Sequence, residues 1–134
     1  MDDLEPLIRQ KQLTLQRNLA SGTLALEGDE QMLYRLFSNL IVNAMKFTSQ
    51  GGIGVASFKL DGKIRVQVSD TGVGLDQDDL KRVFDRFFQK SPATEGMGVG
   101  LALVREIAVL HGGEIWAESA GAGKGSTFIV EFPL

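Results

Sequence analysis

The 134-residue sequence predicts an α+β fold, a two-layer α/β sandwich with a mixed, mostly antiparallel sheet and helices on one face. Three observations carry that expectation. Two segments of strand character, Ile53 to Leu60 and Lys63 to Ser69, are joined by Asp61-Gly62, a strong two-residue hairpin signal. Two long segments, about Glu30 to Thr48 and about Val99 to His111, are apolar and helical in pattern. Two last strands, Glu114 to Ser119 and Ser126 to Phe132, flank a loop holding Gly121, Gly123 and Gly125.

The remaining elements follow in chain order. Leu4, Leu7, Ile8 and Gln12 stand at near-helical spacing, with Pro6 tolerable only in a first turn. Leu13, Leu15 and Arg17-Asn18-Leu19 alternate as a short strand, and Thr23 to Leu26 is a second, ending at Gly28. Asp29 is placed to cap the long first helix, and Gly51-Gly52 stops it. A short acidic-capped helix is expected around Asp76 to Val83, followed by an irregular stretch from about Phe84 to Gly98. The second long helix stops at Gly112-Gly113, a favourable pair for ending a helix.

Composition narrows the function classes. The length suits one domain, 1–134, and the 43% apolar and 23% charged fractions are those of an ordinary globular protein. A net charge of -3 and the lack of any basic run give no support to a nucleic-acid or anionic-membrane surface. With no cysteine and one histidine, disulfides and thiolate or zinc sites drop out. No apolar run approaches the ~20 residues of a membrane span, so a cytoplasmic location is expected, whether or not a parent protein is membrane-anchored.

Chemistry concentrates in three motifs. In the first, Asn39-Leu-Ile-Val-Asn43-Ala-Met-Lys46-Phe47-Thr48, the apolar stripe Leu33, Leu36, Phe37, Leu40 and Ala44 leaves Asn39, Asn43 and Lys46 on a narrow polar strip beside it. An Asn oxygen is a hard neutral donor suited to Mg2+, and Lys46 can meet phosphate as a point charge. The same strip also fits a solvated helix edge. In the second, Asp70-Thr-Gly72-Val-Gly74, period two puts Asp70 on the face of Ile64, Val66 and Val68. A charge ending an inward apolar row is costly unless paired. An ionised carboxylate only accepts, so it suits the adenine amine and not the guanine oxygen at that edge. Gly72 and Gly74 permit tight turns and close approach to a base, although Asp-x-Gly also fits a simple capped turn. The third, Gly96-Met-Gly98-Val-Gly100-Leu101, opens a helix whose bare N–H groups suit an anion, or serves as a hinge. Together the three supply a metal ligand, a base-reading carboxylate and a phosphate cradle: a purine-nucleotide site. Phe84, Phe87 and Phe88 are expected to pin their loop to the core, His111 to finish its helix, and Trp116 to pack.

In this order the motifs resemble the catalytic and ATP-binding domain of bacterial sensor histidine kinases, within the gyrase, chaperone and mismatch-repair ATPase superfamily. Asn39 to Thr48 resembles the N box, Asp70 to Gly74 the G1 box, Phe84-Asp-Arg-Phe87 the F box and Gly96 to Leu101 the G2 box. The tail, His111-Gly-Gly-Glu-Ile and then Gly123-Lys-Gly-Ser-Thr-Phe, is similar too, so the likeness spans the chain. The resemblance implies ATP and Mg2+ as cofactors, Asn43 as metal ligand, Lys46 as a phosphate contact, Phe47 as an adenine neighbour and Asp70 as adenine reader. It makes residues 84–98 a mobile lid over the phosphates. The implied partner is a histidine-bearing dimerisation domain of the same kinase, with a response regulator served indirectly in two-component signal transduction.

Two features refine this. The superfamily's hydrolases and serine kinases carry a general-base Glu four residues before the metal Asn, where this chain has Asn39, as histidine kinases do. Many relatives carry Arg just after the F-box aromatics, where Gln89 stands here, leaving Arg86 or Lys90 to supply transition-state charge. The sequence shows no phospho-accepting histidine followed by an acid, since His111 lies in the His-Gly-Gly turn; the expectation is half of a kinase. The competing expectations are a degenerate, nucleotide-tuned interaction module, disfavoured by intact Asn43 and Asp70, and a stand-alone ATPase, disfavoured by Asn39.

Overall fold

The computed structural model describes residues 14–18, 30–48, 50–85 and 100–133. The expected first helix, the Thr23 to Leu26 strand and the Asp29 cap lie outside these residues. Among the described residues, the elements are β1 (Thr14–Asn18), α1 (Glu30–Phe47), β2 (Gly52–Leu60), β3 (Lys63–Asp70), α2 (Gln77–Arg82), α3 (Gly100–Leu110), β4 (Glu114–Glu118) and β5 (Ser126–Pro133). They form the α+β arrangement the sequence predicts.

The five strands make one sheet in the order β1-β2-β3-β5-β4. β1 runs parallel to β2, and every other neighbouring pair is antiparallel. Asp61-Gly62 closes the β2–β3 hairpin, pairing Leu60 with Lys63 and, at the far end, Ile53 with Asp70. Directly opposed residues share a face, so this register puts Val55, Val68 and Phe128 on one side, with Ile64 and Phe132 beside them. On that side α1 contributes Leu36, Leu40, Ile41, Ala44 and Met45 and α3 contributes Val104, Ile107 and Ala108, making one buried cluster. Burying such side chains contributes roughly 1.5–3 kcal/mol each and welds both helices to the sheet.

Helix ends are set locally. Asp76 caps α2: its carboxylate accepts from Asp79 N at 2.8 Å, and Asp79 accepts from Asp76 N at 3.1 Å, a complete capping box. α3 finishes in a Schellman motif, with Gly113 N donating to Ala108 O (2.8 Å), Gly112 N to Val109 O (3.0 Å), and Gly112 at φ 73°. His111 belongs to this cap: its Nδ1 lies 2.8 Å from Ile107 O and its ring stands edge-on to Phe132. Phe84 also meets the core, with its ring edge-on to Phe128 at 6.0 Å, while Phe87 and Phe88 lie outside the described residues.

The other face of the sheet keeps a smaller cluster of its own. Ile129 points there, opposite Trp116 on β4 and Gln67 on β3, and is 1% exposed. Arg65 lies over the Trp116 ring, 5.3 Å from its centroid, and pairs with Glu131. Trp116 is thus a packing residue, though on the face away from the helices.

Candidate nucleotide site

The site is built where α1 ends and β3 runs out. Asn39, Asn43 and Lys46 follow one another along α1 at intervals of four and three residues. Lys46 sits roughly 4.5 Å further along the axis than Asn43, at 1.5 Å per residue. The two amides are half-buried at the margin of the core and Lys46 is exposed. The Asn43 Nδ2 atom is buried without a hydrogen-bond partner among the described residues, as is Thr48 Oγ1. Phe47 is buried at the helix end.

The end of α1 is tied to the turn after β3. Val73 N donates to Phe47 O at 3.0 Å. At Gly72 a Cβ would collide with that same carbonyl and press on the Thr48 hydroxyl. Gly74 has φ 73°, and a Cβ there would strike Gly121 O. The close approaches that demand glycine at 72 and 74 are therefore protein to protein: one turn is clamped between the α1 terminus and the β4–β5 loop. The sequence expectation had these glycines making room for a base. The turn also fastens to β2, because Thr71 N donates to Gly52 O (3.2 Å) and Gly52 N to Thr71 Oγ1 (3.0 Å).

Asp70 is the last residue of β3, on the helix-facing side, and is 8% exposed. Its Oδ1 accepts from Gly72 N and its Oδ2 from the Ser126 hydroxyl, both at 2.8 Å. Burial pushes the carboxyl above its ordinary value, and the bonds from Gly72 and Ser126 pull it back part of the way. A carboxylate has about four acceptor sites, more than Gly72 and Ser126 fill, so the group can still accept from a ligand.

Ser126 is the residue the sequence reading missed. It stands directly across from Asp70 on β5, two residues before inward-facing Phe128, and is buried. The signal was present, since a polar residue also ends this inward row. Its partner became visible only once β3 and β5 were known to be neighbours. Gly100 and Leu101 open α3, and Leu101 is buried in the core. Arg86, Gly96 and Gly98, with Gln89 and Lys90, lie outside the described residues. No cluster of three or more acidic or histidine side chains able to hold a metal occurs among the described residues. A half-buried neutral amide beside a lysine fits Mg2+ that takes most of its ligands from phosphate and water.

Sequence comparison matches residues 28–134 to the histidine kinase-, DNA gyrase B- and HSP90-like ATPase family. The chain belongs to that family, and its likenesses lie among sensor histidine kinases. It is 38% identical over 127 residues to the sensor histidine kinase RppB of Synechocystis sp., covering 91% of this chain and 28% of RppB. It is 35% identical over 124 residues to the sensor histidine kinase WalK of Bacillus subtilis, covering 87% of this chain and 20% of WalK. Among solved structures, full-length ShkA in complex with AMPPNP superposes with a TM-score of 0.86 at 31% identity, covering 98% of this chain and 28% of ShkA. The nucleotide-free catalytic domain of the histidine kinase ThkA gives a TM-score of 0.86 at 29% identity, covering 98% of this chain and 86% of that one. The chain thus spans between a fifth and a third of the two kinases matched by sequence.

Proposed function

We propose that this chain binds ATP with Mg2+ and, within a longer sensor histidine kinase, donates the γ-phosphoryl group to a histidine on a separate dimerisation domain. Asp70 is the observation that carries the reading. A carboxylate held at the mouth of the sheet, bonded on each oxygen yet able to accept again, suits the exocyclic amine of adenine. Phe47 supplies an apolar neighbour for the ring at the α1 terminus, and Lys46 places positive charge one turn from Asn43. The Asn43 oxygen is the candidate metal ligand; Mg2+, when bound, offsets the charge of the phosphates. Asn39 lies in the same strip and helps line it. The N–H groups of Gly96, Gly98, Gly100 and Leu101 are the proposed phosphate cradle, and Arg86 the proposed cation for the transition state.

Asn39 has no proton-accepting carboxylate, so this site is suited to position a nucleotide rather than to activate water. Phosphoryl transfer is well served by such a division, because positioning and charge supply most of its catalysis. In the transfer the bond from the β–γ bridging oxygen to phosphorus breaks, a nitrogen–phosphorus bond forms on the acceptor imidazole, and ADP leaves. A solved complex of ThkA with the response regulator TrrA aligns with this chain at 28% identity and a TM-score of 0.83, which supports a response regulator as the eventual phosphoryl acceptor. The base specificity tests the reading directly. Calorimetry is expected to show ATP and ADP binding with GTP at least roughly ten-fold weaker, a difference of about 1.4 kcal/mol. Equal ATP and GTP affinities would overturn it.

A further inference from the structure

We propose that Ser119, in the loop between β4 and β5, is a positioning residue for nucleotide binding: its hydroxyl holds the Gly72 to Leu75 turn in the shape that presents Asp70. A serine hydroxyl has one proton to give and two lone pairs to share, and here all three are used. Oγ donates to Gly125 O at 2.6 Å, and it accepts from Leu75 N at 3.0 Å and from Gly121 N at 3.2 Å. The two ends of the turn are thereby tied to one atom. Leu75 is bonded directly, while Gly125, fixed through its carbonyl, donates its own N–H to Gly72 O at 3.2 Å. Between them Gly123 N donates to Val73 O at 2.7 Å, and the Gly74 backbone lies against Gly121 O.

The consequence reaches the carboxylate itself. Gly72 N, whose placement depends on this turn, is one of the donors that orient Asp70. Ser126, which acts on the carboxylate through its hydroxyl and its backbone, directly follows Gly125 in the same loop-to-strand passage. Losing the Ser119 hydroxyl strands two amides and removes a tie shared by the segments that carry both supports. The proposal rests on the ATP reading above and adds a residue that needs no contact with the nucleotide.

The test is a double-mutant cycle on ATP affinity in this chain, with Ser119→Ala, Asp70→Asn and both together, alongside hydrogen exchange without nucleotide. Ser119→Ala is expected to weaken ATP about ten-fold, the scale of losing hydrogen bonds to buried groups. In the Asp70→Asn background the same change is expected to cost less than about two-fold, because the residue acts through Asp70. Exchange should accelerate at Leu75 and Gly121 while Val130 in β5 keeps its protection. Ser119→Thr retains the oxygen; where it preserves protection at Leu75 it should also preserve affinity. Unchanged ATP binding in Ser119→Ala, full additivity with Asp70→Asn, or a Thr variant with intact protection but lost affinity would each overturn the proposal alone. A wild-type chain that binds no ATP would overturn the nucleotide reading together with it.

Discussion

At Asp70, burial and hydrogen bonding act in opposite directions on one carboxyl group, and burial prevails. Because its folded pKa is raised, the native state holds a proton that the unfolded chain has already released. The sign follows: this group's favourable contribution to stability is complete below the ordinary carboxylate range and is lost as pH rises through the folded value. Asp70→Asn, which cannot ionise, should abolish that slope in denaturation midpoints measured across mildly acidic pH; an identical slope in the variant would place the titration elsewhere. ATP acts in the opposite sense, since the adenine amine favours the ionised form, so affinity should weaken as pH falls through the same range. Ser126 tunes this balance. Ser126→Ala removes a donor 2.8 Å from Oδ2, so Asp70 should titrate still higher and ATP affinity should fall, with a stability loss of about 1–3 kcal/mol. NMR titration of the Asp70 carboxyl in both proteins reads the shift directly, and an unmoved titration would show the bond to be unimportant.

Helix α1 is the element in which sequence and site meet most closely. Of its expected stripe, Leu36, Leu40 and Ala44 are buried and Leu33 and Phe37 are half-buried against the core, with Ile41 and Met45 widening it, and the polar strip falls at its margin because both follow from 3.6 residues per turn. The hairpin, the acidic cap of α2 and the glycine stop of α3 were legible for the same reason: each is set by residues a few positions apart. What was not legible depends on contacts between distant segments. Nothing local says that β5 lies between β3 and β4, so the Asp70–Ser126 bond, 56 residues long in sequence, and the Ser119 clasp could not be read. At the two glycines of the turn, read from sequence as making close approach to a base, the protein atoms lying against them belong to Phe47 and Gly121. A prediction belongs to α1 itself. Asn43→Ala should remove most of the enhancement of ATP binding by Mg2+ and leave adenosine binding unchanged, because the proposed base reader, Asp70, stands at the end of β3. Titrations of ATP and adenosine with and without Mg2+ measure it, and a variant that still gains affinity from Mg2+ would move the metal off α1.

At the scale of the molecule, the described residues form a layer of helices on a sheet, with the end of α1 tied to the turn after β3, and no helix among them is long and apolar enough to cross a membrane. What this body offers a reaction is position and charge. The strip on α1 presents an amide at position 39 where a water-activating site needs a carboxylate, and the only histidine of the sequence is engaged in the α3 cap, against Ile107 O and the Phe132 ring. Among the described residues, the α1 strip of Asn39, Asn43 and Lys46 carries no base for water, and the histidine is held in the α3 cap. This chain alone should therefore turn over ATP very slowly and incorporate no acid-labile phosphate. Supplying a histidine-bearing helical dimerisation domain in trans should restore transfer, with the label appearing on that domain and not on this one. Following γ-labelled ATP in the two mixtures separates the cases. Rapid release of phosphate by the isolated chain, or label on His111, would mean that the chain contains its own base or acceptor, and the division of labour inferred from Asn39 would fail.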